Sequence, residues 1–370
     1  MRRRIVVGLA LAVAVAGGVA AYLFLRGLEM PEAPLDAVPK GAYAVVYVDV
    51  PAVLDSSWYA DYARPSAVGR AIAQLRARCG LDPLGGVSTL MLFTTSPTPE
   101  RVTQVAAVAT GDFDHAGIAR CLEQRLAGSD HGVKRAEIDG MPAVIGFDVP
   151  GSLGGSSNLT AAAPLAAAFV GRHGAAAGTV DTVRAVIRTV RGEAQSAATD
   201  PTLGPLFGWA QPDAQIALAA RLPERWRDTL RPDVRRRLDA ALADAPAGLT
   251  TALDAVRSVG AAVRLSSKLV ISAHVRTAGT GDARALEAAL RASIAEVMKH
   301  PLVALSPLGS TLRRLSLVPR GPTLVVALDF TPERLRDLVD FAERWLPELS
   351  AHGAGEAAAP AAAAAPTAQP

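Results

Sequence analysis

The sequence predicts an α+β protein: an N-terminal transmembrane helix followed by a duplicated ectodomain of antiparallel sheet and helices. Three observations predict it. Residues 5–25 carry no charge and follow directly on Arg2, Arg3 and Arg4. Farther along, β-rich runs joined by turn signals alternate with stretches of helical periodicity. The order strand–helix–hairpin–helix–hairpin–helix then occurs twice, about 170 residues apart.

The N-terminal run sets the compartment. A bilayer core needs about 20 apolar residues of helix, and residues 5–25 supply them. A cleavable signal has a shorter apolar region, about 7–15 residues, before a small-residue cleavage site. Ala14-Val15-Ala16 fits such a site, but cleavage there would leave residues 17–25 apolar at the new terminus. The reading adopted is an uncleaved signal-anchor in the inner (cytoplasmic) membrane; the alternative is a secreted or periplasmic chain. Three arginines before the span and Arg26 alone just after it put the bulk of the chain outside the cytoplasm. No cysteine near the end of the run offers a lipoprotein attachment point.

The formal charge is +3, from 38 basic and 35 acidic residues, and Arg2–Arg4 account for the whole excess. The remainder is neutral, so charge gives no reason to expect a nucleic-acid partner. The organisation reads as anchor (1–26), linker (27–40), first module (41–195), second module (196–349) and an Ala/Pro tail (350–370) expected to be disordered. Pro31, Pro34 and Pro39 make the linker a semi-extended spacer.

In the first module, residues 42–50 read as a strand, with Pro51 opening a helix. A second helix is expected from about Pro65 to Cys79. Residues 87–95 and 101–110 form a hairpin. Asp114 caps a helix to Leu126. Residues 134–138 and 143–149 flank Asp139-Gly140, a strong hairpin turn signal. A Gly/Ser/Ala loop covers 151–164, a strand 165–170, and a helix capped by Thr179 runs to Val190. In the second module, residues 214–222 form a strand closed by Pro223. Residues 256–266 and 269–277 form a hairpin, residues 282–298 a helix, and residues 312–318 and 323–330 a hairpin around Arg320-Gly321. Gly140…Asp148 and Gly321…Asp329 share one spacing, and the helix after Thr179 pairs with one after Thr331. Whether the two modules share a sheet is open at this level.

Cys79 and Cys121 are the two cysteines. Each falls on an apolar face at helical spacing, and an exported compartment favours pairing them. Their bridge would close a loop worth about 4 kcal/mol on the chain-entropy account; the other reading is two buried thiols.

Searching for chemistry finds mainly absences. There is no phosphate loop, no dinucleotide-binding glycine pattern, no nucleophile elbow, and no His-x-x-x-His pair among six histidines. No catalytic residue, cofactor or metal is expected. Asp112, Asp114 and His115 suit a helix start better than a metal. Asp148 and Asp329 suit strand ends better than acid/base work. Asn158-Leu159-Thr160 is a weak glycan acceptor match. The densest charge feature is Arg225, Arg227, Arg231, Arg235, Arg236 and Arg237 around Trp226. It would dock acidic lipid head groups or an acidic partner, or else form a solvated helix face diluted by Glu224, Asp228, Asp233 and Asp239.

The phrase Val38-Pro39-Lys40-Gly41-Ala42 leading into Val45-Val46-Tyr47-Val48-Asp49, together with Cys79-Gly80-Leu81-Asp82-Pro83, resembles exported, membrane-tethered bacterial proteins of uncharacterised function. The resemblance implies an envelope location and a non-catalytic ectodomain. The expected function is an envelope-anchored binding or scaffolding protein whose ligand is protein, lipid or cell-wall polymer. Two alternatives stand beside it: a carrier of a hydrophobic ligand in a groove between the modules, and an exported hydrolase.

Overall fold

Among the described residues, runs of β-branched and small residues form twelve strands that pair into one open sheet. The computed structural model describes residues 30–64, 67–80, 82, 84–96, 105–112, 133–146, 165–224, 226–230, 235–236, 239, 248–299 and 301–338. The strands are β1 Ala44–Asp49, β2 Val87–Thr94, β3 Val105–Gly111, β4 Val133–Ile138, β5 Met141–Gly146, β6 Leu165–Phe169, β7 Gly174–Thr179, β8 Ile216–Arg221, β9 Val256–Leu265, β10 Leu269–Thr277, β11 Ser316–Arg320 and β12 Thr323–Phe330. Their spatial order is β11-β12-β10-β9-β8-β1-β2-β3-β7-β6-β5-β4, and every pairing is antiparallel. The two expected modules therefore share one sheet, joined where β1 pairs β8.

That junction is centred on Val46 opposite Leu218, with Ala44 opposite Ala220 and Val48 opposite Ile216. On one face of the sheet, here the front, Val45, Tyr47, Met91, Phe93, Val108, Ala217, Ala219 and Ala262 are buried. They pack beneath a 3₁₀ turn at Pro34–Ala37, α3 (Val180–Val190) and α4 (Leu203–Ala210). On the back, α1 (Val50–Leu54) lies over Leu90 and Ala109. The α5 (Leu249–Asp254) and α6 (Thr280–Val297) helices bury Leu286, Ala289, Leu317 and Leu324. The other α-helices are α2 (Ala67–Cys79) and the short α7 (Pro301–Ala304) and α8 (Pro307–Leu312).

Local chemistry explains most boundaries. Asp49 caps α1 by accepting from the Ala52 amide at 3.0 Å, and Thr179 caps α3 from the Thr182 amide at 3.2 Å. Asp139 (φ 47°) and Gly140 (φ 73°) both take positive φ, the two-residue turn that matches strand twist. The β11–β12 loop is instead Gly321-Pro322, because Arg320 pairs with Thr323. At the two sheet edges, β11 carries Pro319 and β4 carries Lys134, Arg135 and Glu137, devices that blunt edge pairing.

Four expectations change. Residues 312–315 do not begin a strand: Ser306 accepts from the Gly309 amide and caps α8 through Leu312, so β11 starts at Ser316. The linker is not a free spacer from Pro34 onward, because Leu35, Ala37 and Val38 are buried in the core. A strand, β7, lies where none was expected, and α4, α5 and α7 are likewise additional. Finally, β5 begins one residue after Gly140 and β12 two residues after Gly321. The Gly140 and Gly321 turns are therefore out of strand phase by one, and one residue exchanges the faces of a strand. The anchor at 5–25, Cys121, the helix expected from Asp114 and the tail lie outside the described residues. Among the described residues, no helix is long and apolar enough to cross a membrane.

Candidate functional site

In the β8–β11 half, the front of the sheet is only partly roofed by the described residues. Ala217 and Ala219 of β8, with Gly260 and Ala262 of β9, lie under α4. Gly260 is what lets the helix sit close. A Cβ there would stand 3.2 Å from Leu206 Cδ2 and 3.4 Å from Trp209 Cε3. Trp209 then reaches over the next strand and stacks on His274 of β10, with ring centroids 3.4 Å apart and planes at 19°.

Beyond that stack the face opens. Strand register aligns its side chains in rows: Ser258, Arg276, Thr323 and Arg320 in one, Gly260, His274, Val325 and Val318 in the next, then Ala262, Ser272, Ala327 and Ser316. Arg276, Ser316 and Arg320 are exposed, and Val318 is 42% exposed. The centre of this face is thus apolar and aromatic, and guanidinium groups stand at its margins. Arg264, Arg276 and Arg320 make no ion pair among the described residues. The carboxylate on the same face, Asp329, is half-buried and lies 4.0 Å from Lys268 and 3.8 Å from Arg314.

His274 feels this setting. Burial under Trp209 disfavours its charged form most, and the positive charge of Arg320 adds to that, so its pKa lies below the ordinary histidine value. Nearby, Ser258 is fully buried and its Oγ has no hydrogen-bond partner; the Ser272 Oγ has none either. Facing Ser258 across β8, Arg221 lies 4.4 Å over the Tyr43 ring and donates to Asp200 Oδ2 and to the Gly41 carbonyl, both at 3.3 Å.

The arginine run singled out in the sequence is placed otherwise. Arg227 donates to Asp239 at 2.7 Å and to both oxygens of Asp254 at 3.3 Å, and its side chain is 14% exposed. Partial desolvation opposes its charge, but these two carboxylates more than offset that and hold its pKa up. Arg235 pairs with Asp228 at 3.1 Å and with Asp239 at 3.6 Å. Trp226 donates from Nε1 to the Leu253 carbonyl at 3.1 Å. Arg236 is exposed, while Arg225, Arg231 and Arg237 lie outside the described residues. So Arg227 and Arg235 are engaged with carboxylates of their own chain.

Of the other sequence candidates, Asp112 is exposed. Asp114, His115, Asp148 and Asn158 lie outside the described residues, as does Cys121, and Cys79 closes α2. No group of three metal-ligating side chains occurs among the described residues. Sequence reasoning missed the His274 face because its members come from β9, β10, β11, β12 and α4, with no shared local motif. The signal available was the arginine spacing in β9 and β10, which puts Arg264 and Arg276 on one face only once the hairpin register is known.

The sequence matches no family model and no curated protein. Two solved structures of TP0453 are similar in outline. Crystal form III is 10% identical with a TM-score of 0.43, over 82% of this chain and 96% of that one. Crystal form I is 11% identical with a TM-score of 0.43, over 84% and 97%.

Proposed function

We propose that this chain is an envelope-anchored, extracytoplasmic binding or scaffolding protein without catalytic activity, and that it engages its partner through the open front face around His274. The observation that carries the reading is the set of arginines, Arg264, Arg276 and Arg320, that make no ion pair among the described residues and flank an apolar patch on a sheet face that α4, among the described elements, covers in part. Paired charges stabilise a fold; unpaired ones facing solvent are free to meet an anionic partner. The uncharged run at 5–25, with its arginine flank, supplies the tether.

Two subsidiary points belong to this reading. The halves descend from one duplicated unit, supported by the junction of β1 and β8, whose central residues Val46 and Leu218 occupy matching positions of the two repeats. Cys79 and Cys121 pair in the oxidising compartment.

A carrier remains the second reading, favoured by the back of the sheet. There Val46, Ile216, Leu218, Ala261, Val263 and Ala273 are only half-buried, an apolar strip lying between the cluster under α1 and that under α5 and α6. Native mass spectrometry separates the readings: a co-purifying lipid-sized mass supports the carrier.

The anchored reading is tested by alkaline extraction of membranes, followed by protease treatment of intact spheroplasts. The full-length chain is expected in the alkaline-resistant pellet and to be digested from outside. A chain released by alkali, or a mature N-terminus at Gly17, refutes the anchor.

A further inference from the structure

We infer that the open front face of the β9–β10–β12–β11 region docks on the surface of an anionic phospholipid bilayer, an inference that rests on the tethered reading above. Three observations point to lipid. The first is charge: Arg264, Arg276 and Arg320 face the same way from three strands and make no ion pair among the described residues, while Asp329 lies near Lys268 and Arg314. Guanidinium groups bind phosphate oxygens in a fork geometry and are weakly hydrated, so they suit a phosphate plane.

The second is the pattern within the patch. Between its cationic margins lie Val318, which is 42% exposed, with Val325, Ala327 and the His274–Trp209 stack. An apolar and aromatic centre flanked by arginines matches the head-group boundary, where acyl chains lie just beneath the phosphates. The neutral form favoured at His274 fits a ring that sits beneath the phosphate layer.

The third is reach. About four residues, 26–29, separate the apolar run from Met30, and Met30 already packs on the fold beside Gly174. Fully extended they span at most about 14 Å. Met30 joins the front-face cluster at β7, six strands from β10, so the tether holds the fold close to lipid and the patch needs only modest affinity to settle on it.

The test uses the full chain in nanodiscs of neutral phosphatidylcholine, or of phosphatidylcholine with about 30% phosphatidylglycerol as the anionic surface of a membrane. A photoreactive residue replaces Val318, or, as a control on the opposite side, Ala288, which is exposed on α6. Illumination is expected to give a lipid adduct at 318 and none at 288. The adduct should fall at least about tenfold in neutral discs, and equally in an Arg276→Glu/Arg320→Glu variant. Equal labelling at both positions, no adduct at 318 in anionic discs, or a protein–protein adduct at 318 overturns the proposal. Failure of the chain to enter discs refutes the tether alone; the same cross-links, read with free chain and anionic vesicles, then decide the docking face.

Discussion

At the scale of single residues, Asp200 and His274 show how this protein handles buried polarity. Asp200 is 5% exposed, yet its oxygens are satisfied. Oδ1 accepts from the amides of Thr202 and Leu203 at 2.8 and 3.0 Å, and Oδ2 accepts from Arg221. It thereby ties the start of α4 to β8. Asp200→Ala leaves two amides without their acceptor and removes one partner of the part-exposed Arg221, so a loss of about 2 kcal/mol is expected, read as a lower denaturant midpoint at an unchanged slope. A loss below about 0.5 kcal/mol would mean that the pair adds nothing. His274 makes stability pH-dependent. Its folded pKa is lowered, so over the interval below about 6.5 the unfolded chain binds the extra proton. Stability is therefore fully present above that value and is lost as pH falls through it. The denaturant midpoint should drop between about pH 7 and pH 5, and His274→Phe, which keeps a ring against Trp209, should flatten that part of the profile. A slope unchanged by the substitution would assign the effect to another group.

At the scale of elements, the hairpin of β4 and β5 is locked to α3 by charge. Asp139 accepts from Arg188 Nε at 2.9 Å and Arg184 Nε at 3.3 Å, and its carbonyl accepts from Arg191 at 2.6 Å. Partial desolvation works against the Asp139 carboxylate, but Arg188 and Arg184 outweigh it and hold its pKa below the usual range. Gly140 must adopt φ +73° to close this turn, whereas Gly146 sits at the end of β5 with nothing within 4 Å of an added Cβ. The same substitution should therefore act in opposite directions. Gly140→Ala is expected to destabilise by about 1 kcal/mol, and Gly146→Ala to be neutral or slightly stabilising, both measured by thermal unfolding. Legibility at this scale follows chemistry. The Thr179 cap, the Asp139-Gly140 turn and the long face of α6 are local patterns, and the sequence displays them. Strand β7, Gly174-Ala175-Ala176-Ala177-Gly178-Thr179, is invisible because small residues buried on both faces carry no alternation. Helix α4 contains Gly204, Pro205 and Gly208, poor helix formers, and forms because Leu203, Phe207 and Ala210 are buried against the sheet.

At the scale of the molecule, the decisive contact is β1 on β8. It merges two expected modules into one sheet, and the front cluster of buried residues runs across it from Val45 and Phe93 to Ala217 and Ala262, beside separate clusters under α1 and under α5 and α6. Domains that share a core in this way unfold together. Far-UV circular dichroism and tryptophan fluorescence should follow one coincident transition, with Trp58 and Trp209 reporting from opposite halves of the chain; two separated transitions would mean that the halves are independent. Trp58 already spans the junction, donating from Nε1 to the Ser266 carbonyl at 2.9 Å. The α+β class, the antiparallel hairpins, most strand positions and the apolar run at 5–25 were determined by the sequence alone, since periodicity, turn residues and hydropathy act over a few neighbours. The tertiary structure decided what depends on register and pairing partners: the joining of two halves into one sheet, the one-residue phase difference between the Gly140 and Gly321 turns, and the gathering of Arg264, Arg276, Arg320 and His274 on an open face. Those residues are brought together by hydrogen bonds between strands far apart in the chain, and no local pattern encodes such a pairing.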